Sequence, residues 1–343
     1  MTDTARPLTV LTSMSAERMT TNPYVVELNR RLAQRVTLVR FTWSEVLTGP
    51  WDVFHVHWPD ALVRRSGPLR TAAACALLAA GMLRARWTGR RVVRTVHNVD
   101  PHERQSRLVT ATLRLVDRST SGWIRLNDRT PVAGAGLVAT IPHGTYADWF
   151  ADAPHPARVP GRLLTAGLLR PYKGVDTLIE SFADVDLADA TLHVSGRPVD
   201  ATYAADISAQ AAADPRVSLD LRHVPDDVLA TEIGEATLVA LPYRELHNSG
   251  AALLALSLGR PVLVPGNDVT DDLAAEVGAV WVQRFTGELD AASLRRALAA
   301  VAGLTGAPDL SARSWEAIAD QHVALYAAVA DASGERSSER SAA

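Results

Sequence analysis

Apolar and polar positions in the first half of the chain alternate between short β-rich runs and stretches of helical period. Strands are predicted at Leu8–Thr12, Val36–Phe41, Asp52–His57, Arg91–His97, Gly122–Leu126 and Leu137–Ile141. Helices are predicted between them at Pro23–Gln34, Leu69–Arg86 and Arg104–Asp117. Asn22 before Pro23 marks a helix start, a side chain able to cap followed by proline where no N–H is needed. Ala151–Gly161 is rich in Pro, Ala and Gly, lacks any period, and reads as a linker. The alternation then restarts, with strands at Arg162–Ala166, Ala190–Ser195, Val217–Leu219, Thr237–Leu241, Pro261–Val264 and Ala279–Val282. Helices follow at Val175–Ala183, Asp200–Ala213, Asp226–Glu235, Gly250–Leu258 and Ala291–Val301, and a long one over Leu310–Ala330 closes the pattern. The Ser-rich tail 331–343 is expected to be disordered. This alternation predicts an α/β chain of two doubly wound parallel-sheet domains, 1–150 and 162–330, joined through 151–161. Open sheets of this kind bind ligands at the carboxyl ends of their strands, so a cleft shared by the two domains is the expected site.

Composition narrows the classes. A length of 343 residues suits two domains, and the single cysteine, Cys75, excludes a disulfide framework or a cysteine-based zinc site. The longest apolar stretch, Thr71–Leu83, has 13 residues, short of the roughly 20 a spanning helix needs. No secretory signal opens the sequence, so a cytoplasmic protein is expected. Net charge is −3 but unevenly divided: residues 1–155 hold 20 Arg against 12 acids, and the remainder holds 15 basic groups against 26 acids. Between Ala61 and Val99 stand eight arginines and no acid. One reading is a solvated Arg face. The other is peripheral contact with anionic lipid at the inner membrane face through Arg64, Arg65, Arg70, Arg84, Arg86, Arg90 and Arg91 around an apolar helix. The basic stretch lacks interleaved aromatics and the pI is 6.4, which argues against a nucleic-acid partner.

Of 35 basic residues 34 are Arg, and the one Lys is Lys173. It sits in GLLRPYKGVDTLIESF (Gly167–Phe182), where a strand ends, a short loop carries Arg170 and Lys173, and Gly174 precedes a helix. Gly174 permits a tight turn, the helix N-terminus points its dipole into the loop, and the two cations add a planar fork and a point charge. Such a loop suits a diphosphate; two solvated loop cations are the alternative. A second segment, LPYRELHNSGAALLALSLGRPVLVPG (Leu241–Gly266), runs a strand into a polar loop where Asn248, Ser249 and Gly250 open a helix. Its free N–H groups suit phosphate, and Glu245 suits ribose or sugar hydroxyls, although Asn248 and Ser249 equally suit a plain helix cap.

With these segments the chain resembles the donor-binding half of GT-B glycosyltransferases, near the retaining family 4 group. HVHWPD (His55–Asp60), TVHNVDPHE (Thr95–Glu103) and IPHGTY (Ile141–Tyr146) are similar to segments of bacterial exopolysaccharide and glycolipid transferases. The resemblance implies a metal-independent transfer of a hexose from a nucleotide-diphosphate sugar, GDP-mannose before UDP-sugars, to a lipid-linked or saccharide acceptor, with no further cofactor. It implies that Arg170, Lys173 and Gly174 bind the diphosphate and that Glu245 is the first of the family's two carboxylates. The second position falls on Leu254. It further implies that His97 meets the donor sugar. A retaining reaction would use His97 to orient the sugar; an inverting one needs a base, for which Asp100, His102 and Glu103 are candidates. Asn22, Tyr24, His57, Trp58 and Asp60 are expected on the acceptor side, with Trp58 able to stack on a sugar or pack in the core. His143 and Gly144 either touch the cleft or shape the hinge. The histidines and acids lack regular ligand spacing, so no metal is expected. A nucleotide-sugar epimerase and a non-catalytic nucleotide-sugar-binding protein are the alternatives. A Rossmann dehydrogenase is disfavoured, because no Gly-x-Gly-x-x-Gly follows the first strand.

Overall fold

The computed structural model describes residues 6–15, 22–97, 105–244 and 246–341. The chain forms two compact units, Met1–Gly144 with Arg313–Ala343, and Thr145–Ala312. Both are α/β.

The first unit is built from β1 (Thr9–Thr12), α1 (Pro23–Leu32), β2 (Thr37–Val39), α2 (Trp43–Thr48), β3 (Val53–Val56), α3 (Pro59–Val63), α4 (Pro68–Trp87), β4 (Arg91–Val96), α5 (Arg107–Ser119), β5 (Thr120–Arg125) and β6 (Leu137–Thr140). Its six strands are parallel in the order β2-β1-β3-β4-β5-β6. Helix α1 starts as its sequence suggests: the Asn22 side chain accepts from Tyr24 N, and Tyr24, Val25, Leu28 and Leu32 turn inward. Helix α4 buries Ala74, Cys75, Leu78, Gly81, Met82 and Ala85 on one side. Its opposite side is apolar too, because Leu69, Ala73, Ala76, Ala80, Leu83 and Trp87 are exposed at alternating four- and three-residue steps, Leu69 by 85% and Trp87 by 83%. Two arginines assigned to the basic face do other work. Arg84 donates to the carbonyls of Val46 and Gly49, Arg90 donates to those of Gly49 and Trp51, and both guanidiniums lie over the Trp51 ring. Arg64, Arg65, Arg70 and Arg86 are exposed.

The second unit contains β7 (Arg162–Ala166), α6 (Val175–Ala183), β8 (Thr191–Ser195), α7 (Ala201–Ala211), β9 (Val217–Asp220), α8 (Asp226–Glu235), β10 (Leu238–Ala240), α9 (Gly250–Ser257), β11 (Val262–Pro265), α10 (Asp268–Val277), β12 (Val282–Phe285) and α11 (Ala291–Val301). Its parallel strand order is β12-β11-β10-β7-β8-β9. One apolar core holds residues of α6, α7 and α11, and another holds residues of α8, α9 and α10, so both sheet faces are covered.

The last helix, α12 (Trp315–Ser341), corrects two expectations. Its place in the sequence predicts the second domain, but Trp315, Ile318, Ala319, Leu325, Tyr326 and Val329 join the core formed by α1 and the first sheet. The stretch expected to be a disordered tail continues it to Ser341. The crossing between units falls at Gly144 and Thr145, ahead of the expected linker, because Tyr146 and Phe150 pack with Ala230 and Leu253 of the second unit. The strand expected at Ala279–Val282 lies at Val282–Phe285, since Gly278 (φ 99°) ends α10 and the next residues are exposed. Helices α2, α3 and α10 were not anticipated.

Candidate functional site

In the second unit β7 has β8 on one side and β10 on the other, so the loops leaving β7 and β10 diverge from the point where strand order reverses. That point is the usual ligand crevice of a doubly wound sheet. Both segments singled out by sequence leave from it. After β7 the chain makes a one-turn 3-10 helix, Pro171–Lys173, and Gly174 (φ 64°) turns it into α6. A Cβ at Gly174 would strike the Pro242 carbonyl oxygen in the loop after β10. The two loops are tied where Arg244 N donates to Tyr172 O at 3.0 Å. Lys173 Nζ sits 5.2 Å from the Tyr243 ring centroid. Among the described residues neither Lys173 nor Arg170 is paired with a carboxylate, and Arg170 Nε is buried without a hydrogen-bond partner. Burial, with the Arg170 guanidinium beside it, pushes the Lys173 ammonium down to about 8. Two uncompensated cations beside a helix N-terminus form a place for an anion.

The loop into α9 is less open. Ser249 is its N-cap, and the hydroxyl accepts from Ala252 N at 3.1 Å, so the plain-cap reading holds for that side chain. A Cβ on Gly250 would lie 2.9 Å from Tyr146 Oη. Asn248 and Gly250 flank the cap, half-buried. Glu245 lies outside the described residues.

In the first unit the reversal falls between β1 and β3. His57 follows β3, with its N donating to Ser13 Oγ at 3.0 Å, and His97 follows the neighbouring β4. Their rings are joined, His57 Nδ1 to His97 Nε2, at 3.1 Å. Trp58 stacks on His97 with ring centroids 4.1 Å apart, and Tyr24 meets both histidines edge-on. Beneath them His55 bonds Thr95 Oγ1 through Nε2 at 2.8 Å and Tyr326 Oη through Nδ1 at 2.7 Å. His143 packs on Tyr24, and His322 Nδ1 donates to Ile318 O. Burial pushes His57 down to about 3 and His143 and His322 to about 4; His55 and His97 fall well below the usual histidine range for the same reason, reinforced by neighbouring rings. The cluster is therefore neutral at pH 7, polar but uncharged. It suits hydroxyl groups better than phosphate.

Tyr24 and His57, read as acceptor-side residues, are 1% and 3% exposed; they build the wall of this cluster and offer no surface. The Asn22 side chain is occupied by its cap. Trp58 and His97 are half-buried and stand at its edge, and Asp60 is half-buried as well. Asp100, His102 and Glu103 lie outside the described residues. His322 and Tyr326 escaped notice, although four-residue spacing puts both polar groups on the apolar stripe of α12, a pattern that asks for buried partners. Among the described residues no group of three His, Cys, Asp or Glu side chains is set to hold a metal, and no helix is long and apolar enough to cross a membrane.

No family model matches the chain. Over 321 residues it is 41% identical to the GDP-mannose:glycolipid 4-beta-D-mannosyltransferase of Xanthomonas campestris pv. campestris, covering 93% of this chain and 92% of that protein. A second enzyme of that name from Xanthomonas campestris pv. campestris is equally similar, 41% identical over 321 residues. Among solved structures, Anabaena HepE with UDP and glucose superposes with a TM-score of 0.60 at 15% identity, covering 97% of this chain and all of that one. Sucrose-phosphate synthase from Thermosynechococcus elongatus gives 0.57 at 15% identity over 98% of this chain and 100% of that one. AviGT4, a glycosyltransferase of avilamycin A biosynthesis, gives 0.56 at 15% identity over 95% and 98%.

Proposed function

Because this chain belongs to the family of the GDP-mannose:glycolipid 4-beta-D-mannosyltransferases, and is thus a glycosyltransferase of GT-B fold, we propose that it moves mannose from GDP-mannose to a hydroxyl of a glycolipid. The observation that carries this reading is the pair of uncompensated cations, Arg170 and Lys173, at the strand-order reversal of the second sheet. As the bond between the sugar C1 and the diphosphate oxygen breaks, negative charge grows on the leaving phosphate. Arg170, Lys173 and the N-terminal N–H groups of α6 oppose that charge without a metal. Glu245 grips ribose or sugar hydroxyls, and the backbone around Asn248, Ser249 and Gly250 holds the far phosphate edge.

GDP-mannose carries its sugar through an α bond, so a β product requires the acceptor oxygen to bond C1 from the opposite face. The hydroxyl proton then needs a base, and Asp100, His102 and Glu103 are the carriers we propose. Trp58, Asp60 and His97 line the sugar side, where an uncharged polar wall suits a hydroxyl-rich ligand. The partner is a lipid-linked acceptor presented at the cytoplasmic face of a membrane. The exposed apolar stripe of α4, flanked by Arg64, Arg65, Arg70 and Arg86, would lie against anionic lipid there.

The test is nucleoside-diphosphate release from GDP-, UDP- and dTDP-sugars, with and without glycolipid-bearing membrane extract, in the presence of EDTA. Release is expected only with GDP-mannose and extract, undiminished by the chelator. Interconversion of the sugar nucleotide without extract would make the protein an epimerase. Tight binding with no turnover would make it non-catalytic, and loss of activity in EDTA would overturn the metal-free chemistry.

A further inference from the structure

We infer that His57 is a positioning residue that donates from Nδ1 to Nε2 of His97 and thereby keeps the proton of His97 on Nδ1, so that His97 serves as a hydrogen-bond donor and not as the base. His57 Nδ1 and His97 Nε2 stand 3.1 Å apart, within hydrogen-bond distance. Two neutral imidazoles so joined share one bridging proton, leaving two arrangements. If His97 donated, the His57 proton would stand on Nε2. That atom is buried and has no hydrogen-bond partner. A buried N–H without an acceptor is the rarer and costlier defect; a bare lone pair is tolerated better. His322 offers no relief, because its Nδ1 is committed to the Ile318 carbonyl and its Nε2 is likewise buried without a partner. The proton therefore belongs on His57 Nδ1, pointing at His97.

The surroundings hold this arrangement in place. Trp58 lies flat on the His97 ring at an interplanar angle of 20°, and Tyr24 closes from the edge, so His97 cannot flip to exchange its nitrogens. Protonating His97 on Nε2 would turn the bridge into an N–H facing an N–H. Arg94 from β4, His143 from the loop after β6, His55 from β3 and His322 from α12 all disfavour an added charge there. With Nε2 occupied by His57, His97 has no lone pair to take the acceptor's proton. It can donate to a sugar oxygen, and the base must be another group. Its role toward substrate rests on the transferase reading above; the placement of the proton does not.

The decisive measurement is the nitrogen-15 spectrum of histidine-labelled full-length protein, with His97 assigned by its loss in a His97→Gln variant. His97 should show a protonated Nδ1 and a bare Nε2; a protonated Nε2 overturns the proposal. Two variants then test the consequence. In His57→Asn the amide nitrogen replaces Nδ1 as donor, whereas His57→Leu removes it. The Leu variant should lose about 10–100-fold in kcat, the range typical of groups that orient a working histidine, with a much smaller change in donor KM. Its His97 should become a mixture of tautomers, and the Asn variant should recover most of the loss. Equal behaviour of the two variants overturns the proposal. Should the Leu variant fail to fold, the wild-type and Asn spectra still decide. A protein with the stated tautomer but no transferase activity would sink the transferase reading and leave the proton assignment standing.

Discussion

Lys173 differs from the chain's 34 arginines in one respect: it can lose its proton near neutral pH. Burial and Arg170 bring its ammonium down to about 8. Only the charged form attracts a diphosphate, and a bound diphosphate would raise the value again. Affinity for GDP should therefore be full below pH 8 and decline as pH rises beyond it, by up to about tenfold per unit. Calorimetry across pH 6–10 would follow this, and Lys173→Arg should flatten the profile because a guanidinium stays charged. Lys173→Ala should cost about 1.5–3 kcal/mol at pH 7, the worth of a charge-assisted contact. Donor affinity that ignores both substitutions would remove Lys173 from the site. This residue was legible in sequence because its setting is local: a strand, a glycine and a helix within one segment. The bond between His57 and His97 was not, since it depends on two neighbouring strands ending at the same level. Still less so was the contact of Tyr326 with His55, made across 271 residues.

At the scale of elements, α4 stands out because both of its faces are apolar. Were the outward stripe a membrane surface, Leu69→Gln, Leu83→Gln and Trp87→Gln together should abolish sedimentation with anionic vesicles while leaving the melting temperature unchanged. Arg70→Gln with Arg86→Gln should weaken the same binding by roughly 2 kcal/mol, about 1 per surface arginine. Arg84→Gln or Arg90→Gln should lower the melting temperature instead, because those guanidiniums satisfy carbonyls of Val46, Gly49 and Trp51. Vesicle binding indifferent to the stripe would exclude it as the contact. Element boundaries were legible wherever a local stop stood close by: β7, α6, α8 and α11 fall where the pattern put them. Helices α2 and α3, six and five residues long, are too short for a helical period to emerge. Helix α10 was hidden by Asp268, Asp271, Asp272 and Glu276, although Asn267 and Thr270 form a capping box at its start.

The molecule as a whole carries an acid sensitivity in the histidine cluster. A buried neutral histidine binds its proton less readily folded than unfolded. Between the unfolded value near 6.5 and the folded values of about 3 to 4, the unfolded chain therefore takes up more protons. Stability is complete above pH 6.5 and drains away as pH falls, by up to about 1.4 kcal/mol per unit for each such histidine. The melting temperature should drop steeply from pH 7 to pH 5, and His322→Phe should make the drop shallower. An unaltered slope would show that His322 titrates normally. The destination of α12 was beyond sequence reading, because its apolar stripe would look the same whichever sheet it covered.

That destination has a consequence for synthesis. The first sheet leaves the ribosome long before the helix that covers Val93, Ile124 and Leu126, with about 170 residues still to be made. At the usual elongation speed of about 5–20 residues per second, this core waits roughly 10–30 s for its last wall. The half translated first is completed last, and during that interval its bare apolar flank is the natural target for a chaperone.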